Sequence, residues 1–382
     1  MSYPPYRGDK LKIFNLAKQL CKEHELHLLT FTETSADKQH ITELEKVFKK
    51  VTTVHLPKWR SGLNCIKALF TGDPLQIAYF HSAEMQRLVN EHVKTGSYDG
   101  IHVQHLRMAP YLRNRRELPC ILDLPDAFSL YWLRRQEVDK NIFRNAFERI
   151  EQQRLEKFEA VINEYRLTLV CSPEDKEYLE QLHGAKHLAL LPNGVDTTTF
   201  RAKAHDYSRN DTILFTGNMD YAPNVDAVVY FAEEILPEVR ERFPHVRFII
   251  AGQRPLESVR ALANDHIEVT GFVKDLAEVY NRASIVVAPL RFGAGTQNKV
   301  LEAMSMGVPV VCSNIGFKGL GIENGEGAFM ASDKASFTAQ VGDLLASESL
   351  RKTTGEKGKI VVKERFDWSV IAKRLENYYQ QL

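Results

Sequence analysis

The chain has 382 residues, of which 50 are Lys or Arg and 49 are Asp or Glu, and its formal net charge is +1. A chain of this length can bury two hydrophobic cores, so we expect two domains. Because acidic and basic residues balance and are mixed along both halves, the composition gives no support to nucleic-acid binding, and we expect no DNA or RNA partner.

The five cysteines are scattered singly, with no CxxC pair and no neighbouring His at ligand spacing. This pattern indicates neither a disulfide framework nor a zinc site, and it predicts buried thiols. No apolar run approaches the length of a membrane span, and the first residues lack the apolar region of a signal peptide. We therefore expect a cytoplasmic protein.

Strand-like and helix-like patterns alternate along the first half, which predicts a doubly wound α/β domain over residues 1–200. A helix is predicted from about residue 9 to residue 23. Apolar residues recur at helical spacing in the charged segment 131–164, which predicts one or two long helices there. The predicted strands of this half are residues 25–31, 101–106, 120–124 and 167–172.

A polar stretch at residues 203–211 reads as the linker between the two halves, and the second domain is predicted over residues 201–365. The last segment, residues 366–382, is predicted to be an amphipathic helix. Its apolar stripe is formed by Trp368, Ile371, Leu375 and Tyr378.

The most informative segment is RFGAGTQNKVLEAMSMGVP, residues 291–309, where a glycine-rich loop leads into a short amphipathic helix. The preceding residues 284–290, SIVVAPL, are typical of a buried parallel strand. Gly293 and Gly295 allow the backbone to approach a ligand, and the N–H groups of residues 296–299 lie at the positive end of the helix dipole. This arrangement predicts a phosphate or diphosphate site. The alternative is an ordinary turn whose glycines serve packing.

Two charged residues follow that loop at helical spacing. Lys299 adds a positive charge to the predicted anion site. Glu302, one turn further on, offers a carboxylate that suits a pair of vicinal hydroxyls, such as those of a ribose. The alternative is that both side chains are simply solvated.

Six stretches resemble, in order and spacing, the retaining glycosyltransferases of family 4, also described as glycosyl transferases group 1. They are LLPNGVDTTTF (190–200), ILFTGNMDYAPNVDAV (213–228), FIIAGQ (248–253), IEVTGFV (267–273), SIVVAPL (284–290) and KVLEAMSMGVPVV (299–311). The resemblance covers nearly the whole chain. It implies the GT-B fold: two Rossmann-like doubly wound domains facing across a cleft, with a C-terminal helix that crosses back to the N-terminal domain.

The resemblance also implies a chemistry. A sugar would pass from a nucleotide-diphosphate donor to a hydroxyl acceptor with retention at the anomeric carbon, with no cofactor and no bound metal, in polysaccharide or glycolipid assembly. The partners would be a nucleotide sugar and a saccharide or lipid-linked acceptor. The N-terminal domain would bind the acceptor, and the C-terminal domain would bind the donor.

Candidate site residues follow from the resemblance together with the loop chemistry. The candidate catalytic residues are Lys299, Glu302, Asp123 and Asp126. The candidate donor-binding residues are Gly8, Asp9, Lys10, Gly217, Asn218, Val273, Gly293, Ala294, Gly295, Thr296, Gln297 and Asn298. The candidate acceptor-binding residues are His105 and Arg107. Asp126 has an alternative role as the cap of a helix that begins at residue 127, and a His near a strand end is often a structural group.

One departure from the family pattern lies in the loop itself. The first glutamate of the usual pair falls on Ala294, so the carboxylate that grips the donor sugar is missing. Some relatives share this form, which indicates a subfamily trait. We expect loop backbone amides, or Gln297 and Asn298, to hold the sugar hydroxyls instead.

A second departure follows the first strand of the second domain. The usual phosphate-binding Arg and Lys fall on Asn218 and Pro223. Lys299 would take over part of their role, together with Lys10 or Lys12. An alternative reading is that Asn218, with the neighbouring Asp at 220, caps a helix that starts near residue 224.

A third departure is at the start of the chain, where the strand expected before the turn at residues 4–10 is absent. Either the natural start lies upstream or another segment fills the gap. Unpaired backbone groups on the neighbouring strands would cost about 1 to 3 kcal/mol each if buried. We therefore expect the N-terminal domain to be the less stable half.

Residues 46–70 interleave basic and apolar side chains, a combination that suits an anionic membrane surface. The alternative is a solvated helix face beside a core-facing one. Two other functions stay open for the chain as a whole. One is a catalytically silent nucleotide-sugar binding protein, and the other is a nucleotide-sugar epimerase of GT-B architecture.

Overall fold

The computed structural model describes residues 3, 8–34, 39–96, 98–113, 118–138, 141–202, 205–293 and 295–382. The chain forms two compact α/β units. Unit 1 contains residues 1–191 and 371–382, and unit 2 contains residues 192–370. The domain limits proposed from the sequence were 200/201 and 365/366.

Unit 1 has two separate parallel sheets. Their strands are β1 (His27–Thr32), β2 (Lys50–His55), β3 (Ile101–Gln104), β4 (Cys120–Leu124), β5 (Leu167–Val170) and β6 (Leu188–Leu190). β1 and β2 form a two-stranded sheet, and the others form a sheet in the order β3-β4-β5-β6. Within the described ranges, no strand joins the two sheets.

Eight α-helices of unit 1 precede the second unit among the described residues, besides two 3₁₀ helices at Leu106–Leu112 and Ala160–Glu164. The α-helices are α1 (Gly8–Leu20), α2 (Ile41–Glu45), α3 (Lys58–Thr71), α4 (Leu75–Ala78), α5 (Ala83–Thr95), α6 (Phe128–Val138), α7 (Ile142–Glu159) and α8 (Pro173–His183). The limits of α8 follow from its sequence. Ser172 accepts a hydrogen bond from the Asp175 N–H at 3.0 Å, Pro173 opens the first turn, and Gly184 ends the helix with φ of 60°.

Unit 2 has one six-stranded parallel sheet in the order β12-β11-β10-β7-β8-β9. The strands are β7 (Thr212–Thr216), β8 (Arg247–Ala251), β9 (Ile267–Gly271), β10 (Ile285–Ala288), β11 (Val310–Ser313) and β12 (Ala328–Ala331). β7 and β10 are buried along their whole length. Such continuous apolar runs are typical of central strands in a parallel sheet, so the strand predicted from SIVVAPL is confirmed.

The helices of unit 2 cover this sheet, and the last helix returns the chain to unit 1. They are α9 (Ala222–Tyr230), α10 (Leu236–Arg242), α11 (Glu257–Arg260), α12 (Leu276–Arg282), α13 (Asn298–Ser305), α14 (Asn314–Lys318), α15 (Lys334–Ala346), α16 (Glu348–Arg365) and α17 (Trp368–Gln380). Within unit 1, the Tyr378 hydroxyl donates to the Leu190 carbonyl at 3.0 Å, and the Tyr379 hydroxyl lies 3.3 Å from His102 Nδ1. The predicted crossover helix is therefore confirmed.

Candidate functional site

The strand order of unit 2 reverses beside β7. The chain runs outward from β7 to β8 and β9, and then returns to the other side of β7 with β10. In an open parallel sheet, ligands bind outside the carboxyl ends of the strands at such a reversal. In this unit, those ends lead into Gly217 after β7 and into residues 289–297 after β10.

The turn after β7 is tightly packed. A Cβ added at Gly217 would lie 2.5 Å from Asn224 Nδ2, so no larger residue fits there without a shift. Asn224 Nδ2 donates to the Asn218 carbonyl at 3.0 Å, and Gln253 Nε2 donates to Asn218 Oδ1 at 2.8 Å. α9 begins at Ala222, and no side chain caps it at the preceding residue. The turn is thus held by amide side chains from α9 and from the end of β8.

Lys299 lies in the first turn of α13, and its side chain reaches the end of β7. Only 8% of the residue is exposed. Its Nζ donates to Asn224 Oδ1 at 2.9 Å and lies 4.8 Å from the centre of the Phe215 ring. Burial lowers the pKa of Lys299 to about 8, although the charge of Glu302 acts in the opposite direction. The amine is therefore fixed in place, and its charge is poorly solvated.

Glu302 is fixed by a buried tyrosine. The Tyr280 hydroxyl donates to Glu302 Oε2 at 2.8 Å and lies 2.6 Å from Thr216 Oγ1. Burial raises the pKa of Glu302, against the hydrogen bond from Tyr280 and the charge of Lys299. No sequence pattern singled out Tyr280. The available signal was a tyrosine in the short helix before a buried strand, since a buried tyrosine hydroxyl usually needs a partner.

The glycine-rich loop adopts conformations that other residues rarely take. Gly293 has φ of 141° and Gly295 has φ of 72°. Asn193 Nδ2 donates to the Thr296 carbonyl at 3.4 Å and to Asn298 Oδ1 at 3.0 Å. Ala294 lies outside the described residues.

The N-terminus of α13 faces the same end of the sheet as this loop. No side-chain hydrogen bond caps the helix at Gln297. Val273, the predicted base contact, follows β9 at the same end and packs partly buried against the core under the sheet. Apart from Ala294, the predicted donor-binding residues of unit 2 therefore lie at the carboxyl ends of β7, β9 and β10.

Asp123 requires a correction. Its side chain has no exposed surface, and its oxygens lie 2.7 Å from Lys12 Nζ and 3.2 Å from His102 Nε2. An acceptor hydroxyl has no access to this carboxylate, so the predicted catalytic role of Asp123 is replaced by a structural one. Lys12 is equally buried, and it also donates to the Leu191 carbonyl at 2.8 Å. It is therefore unavailable to the donor.

His105 and Arg107, the predicted acceptor contacts, lie just after β3. His105 is buried with φ of 82°, and its Nδ1 accepts a hydrogen bond from the Arg107 N–H at 3.3 Å. Burial and the neighbouring Arg107 hold the pKa of His105 well below its usual value. The Arg107 guanidinium lies 5.1 Å from the centre of the Phe80 ring. The acceptor role of both residues stays a prediction.

The remaining predicted residues of unit 1 lie at two helix N-termini. Gly8 and Asp9 open α1. Lys10 follows them and is partly buried. Asp126 is partly buried just before α6. Two carboxylates accept hydrogen bonds from N–H groups at the start of α6, and the sequence did not indicate either of them. They are Asp175, which accepts from Ala127 N at 3.3 Å, and Glu159, which accepts from Ser129 N at 3.1 Å.

Two family models match most of the chain. A family model described as Glycosyltransferase Family 4 matches residues 13–199, and one described as Glycosyl transferases group 1 matches residues 210–347. The chain belongs to glycosyltransferase family 4. The phosphatidyl-myo-inositol mannosyltransferase of Mycobacterium tuberculosis is 30% identical to this family 4 chain over 204 residues, which are 50% of the chain and 53% of that relative. The chain thus spans about half the length of the curated relatives it matches.

Solved structures show the fold of this family 4 chain. Anabaena Alr3699/HepE, in complex with UDP and glucose, matches with a TM-score of 0.69 and 16% identity, over 98% of this chain and 96% of that chain. Sucrose-phosphate synthase from Thermosynechococcus elongatus matches with a TM-score of 0.68 and 18% identity, over 98% of this chain and 93% of that chain. The predicted GT-B fold, with two Rossmann-like domains, is confirmed.

Proposed function

We propose that this family 4 glycosyltransferase transfers a sugar from a nucleoside-diphosphate donor to a hydroxyl acceptor, and that unit 2 binds the diphosphate. The observation that carries the proposal is the buried amine of Lys299, held 2.9 Å from Asn224 Oδ1 beside the end of β7. It lies in the first turn of α13, where the helix dipole also favours an anion. Two sources of positive potential therefore converge on the crevice next to the glycine-rich loop.

The same groups suit the chemical step that we propose, transfer with retention and without a bound metal. As the nucleoside diphosphate leaves, negative charge grows on its β-phosphate. Preorganised donors in a poorly solvated site stabilise that charge, and each is worth about 3 kcal/mol of barrier. Lys299 is preorganised by Asn224. Glu302, oriented by Tyr280, would accept hydrogen bonds from ribose hydroxyls, and the loop amides near Gln297 would hold the sugar.

The printed names of relatives guide the choice of substrates. The mannosyltransferase that matches half of this chain is named for a phosphatidyl-inositol acceptor, and one structural neighbour contains UDP and glucose. We therefore propose a saccharide or lipid-linked acceptor and a role in polysaccharide or glycolipid assembly. Uridine and guanosine diphosphates are the first donor nucleotides to test.

Calorimetry can test the proposed donor site, because ligand binding should be coupled to protonation of the Lys299 amine. Near pH 8, where about half of the Lys299 amines are neutral, a bound diphosphate raises the pKa of Lys299 and draws in up to about half a proton per site. With a nucleotide sugar as the ligand, whose phosphates keep their charge over this range, the heat of binding should then depend on the ionisation enthalpy of the buffer at pH 8, and much less at pH 6.5. Binding heats that are independent of the buffer at both pH values would contradict the assignment of the amine.

Turnover separates this proposal from the two alternatives. A transferase releases nucleoside diphosphate only when an acceptor is present, whereas an epimerase alters the nucleotide sugar without one. A silent binding protein gives neither product. Activity that survives a chelator would support the metal-independent step, and product stereochemistry would establish retention.

We also propose peripheral contact with an anionic membrane through α3, at the cytoplasmic face. Among the described residues, no helix combines the length and apolarity that crossing a bilayer requires. Trp59 and Phe70 of α3 are 69% and 87% exposed, and with Leu63 and Ile66 they form one stripe at helical spacing. We limit the membrane contact predicted for residues 46–70 to α3, because Phe48, which precedes α3 in this range, is buried in unit 1.

Liposome flotation at low salt tests this contact. Trp59→Ser and Phe70→Ser should each weaken binding to anionic vesicles by about tenfold, since each removes the burial of one aromatic side chain. Phe143→Ser is the matched control, because Phe143 is 90% exposed but lies on α7. Equal loss of binding in the control, or wild-type protein that does not float, would contradict the proposal.

A further inference from the structure

Arg254 lies in the turn after β8, and its backbone has a positive φ of 56°. Residues that carry a Cβ rarely adopt such a conformation, whereas glycine adopts it easily. The backbone on either side is fixed to the turn after β7. The Met219 N–H donates to the Gln253 carbonyl at 2.9 Å, and the Leu256 N–H donates to the Met219 carbonyl at 3.2 Å. The fold therefore holds an arginine at a position whose backbone favours glycine.

The side chain of Arg254 extends to the same turn after β7. Its Nη1 lies 3.2 Å from Asp220 Oδ2, and 51% of the arginine side chain is exposed. An ion pair with this exposure contributes little to stability, so it does not offset the strain of a positive φ. Backbone strain of this kind is typical of functional sites. The reason for an arginine here thus lies in what its guanidinium can contact.

The order of the strands places Arg254 along the path of the proposed donor. The carboxyl ends of β10, β7, β8 and β9 follow one another across the sheet. The proposed diphosphate site lies beside β7 and β10, and Val273, the predicted base contact, follows β9. Because adjacent strands are about 4.8 Å apart, β7 and β9 are separated by about 10 Å. A nucleoside that reaches from one to the other passes the end of β8, where Arg254 lies.

A series of amide side chains links the turn of Arg254 to the Lys299 amine. Lys299 Nζ donates to Asn224 Oδ1 at 2.9 Å, and Asn224 Nδ2 donates to the Asn218 carbonyl at 3.0 Å. Gln253 Nε2, from the residue just before Arg254, donates to Asn218 Oδ1 at 2.8 Å. The two cations therefore belong to one hydrogen-bonded framework, with Lys299 beside the proposed diphosphate and Arg254 on the side of β9.

The guanidinium group suits a nucleobase that presents two adjacent acceptors. Its planar fork donates two parallel hydrogen bonds, and its five N–H donors are enough for a base as well as for Asp220. Guanine presents O6 and N7 side by side, and an arginine that donates to both atoms is a common specific contact to this base. Uracil offers a single carbonyl oxygen at the corresponding edge. The chemistry of Arg254 therefore favours guanine.

We propose that Arg254 contacts the base of the donor nucleotide and selects guanosine over uridine, by donating hydrogen bonds to O6 and N7 of guanine. Asp220 would fix the orientation of the guanidinium. Because the base is remote from the bond that breaks, Arg254 would determine specificity and take no part in the chemical step. This inference rests on the proposed donor site of unit 2, and it adds the base that the site prefers.

Calorimetry on the full chain with guanosine diphosphate, uridine diphosphate and inorganic pyrophosphate tests this selection. The wild type should bind guanosine diphosphate about tenfold or more tightly than uridine diphosphate, the discrimination that one bidentate contact to guanine gives. Arg254→Gly should remove the preference by weakening the binding of guanosine diphosphate alone. Its melting temperature should stay near that of the wild type, because glycine adopts a positive φ without strain.

Two further variants separate the fork from the charge and from the surface. Arg254→Lys keeps the charge but not the planar fork, so it should also lose the preference. Arg260→Ala is the matched control, because Arg260 is an exposed arginine on the neighbouring α11, and it should keep the preference.

The outcomes also separate this inference from the proposed donor site. A wild-type protein that binds neither nucleotide would overturn both. Binding of the two nucleotides with equal affinity, or tighter binding of uridine diphosphate, would overturn the selection by Arg254 and leave the donor site standing. If Arg254→Gly weakened all three ligands equally, the arginine would be a phosphate contact, and the base contact would be overturned. A full preference in Arg254→Lys would overturn the role of the fork.

Discussion

Replacing Lys299 by alanine is expected to lower kcat/KM for the nucleotide sugar by about 100-fold to 1,000-fold, the range found when one preorganised donor is removed from a site of developing negative charge. The amine is buried, its position is set by Asn224, and its charge is poorly solvated. A diphosphate would replace the missing solvation. The variant loses this interaction, and no other side chain of α13 carries a positive charge.

The size of the effect should depend on charge more than on packing. Lys299→Met keeps the contact with the Phe215 ring but not the charge, so we expect it to lose nearly as much activity as the alanine variant. Asn224→Ala keeps the Lys299 amine but removes the hydrogen bond that positions it, so we expect a smaller loss of activity. Lys352→Ala, an exposed lysine on α16, is the matched control and should behave as the wild type.

Calorimetry and melting temperatures complete the test. A folded Lys299→Ala variant that no longer binds a diphosphate would support the donor site. A variant with wild-type affinity and wild-type turnover would show that the amine serves only the packing of unit 2. The donor would then have to bind elsewhere, and the role given to the first turn of α13 would be wrong.

The fold and the loop of the proposed donor site could be predicted from the sequence because their signals are local. The strand 120–124, CILDL, is a mostly apolar run between Pro119 and Pro125, and the structure places β4 at Cys120–Leu124. The turn before α13 is marked by Gly293 and Gly295, whose positive φ values are the conformations that glycine permits. Patterns of this kind are complete within about 20 residues, about the length of one strand and one helix.

The partners of the site residues could not be predicted in the same way. Asp123 stands at the end of a strand, as many ligand-binding residues do, and only the fold shows that Lys12, 111 residues earlier, buries it in an ion pair. Tyr280, Asn224 and Asn193 likewise act through residues distant in sequence. A single sequence shows which residues carry the chemistry but not which of them already have a partner.

The second large effect that we expect comes from that ion pair. Asp123→Asn should lower the free energy of unfolding of unit 1 by about 3 to 5 kcal/mol, because it leaves the Lys12 ammonium buried without a counter-charge. The loss should appear as faster hydrogen exchange in β4 and β5, with β7 and β8 of unit 2 unchanged. The double variant Lys12→Met with Asp123→Leu should recover much of the stability, since two apolar side chains need no counter-charge.

The stability that the Lys12–Asp123 ion pair contributes depends on pH. Burial alone would raise the pKa of Asp123, but the charge of Lys12 and the hydrogen bond from His102 bring it below 3.8. The carboxylate therefore contributes stability above about pH 4, and that contribution disappears as the pH falls through the pKa of the folded state. Burial alone would lower the pKa of Lys12, but Asp123 and Cys171 hold it above 10.5. The contribution of the ammonium is present below that value and disappears as the pH rises through the folded-state pKa.

The difference in stability between wild type and the apolar double variant isolates the pair. Groups of unit 1 that do not contact the pair, such as Glu159, whose pKa burial raises to about 7, are present in both proteins and cancel in the difference, whereas His102 contacts Asp123 and does not cancel. We expect that difference to shift against the wild type as the pH falls below about 4. Urea unfolding at pH 7 and pH 3, followed through unit 1, measures it. A difference that is the same at both values would mean that the pair is not ionised in the folded protein, and the large cost expected for Asp123→Asn would then have no electrostatic basis.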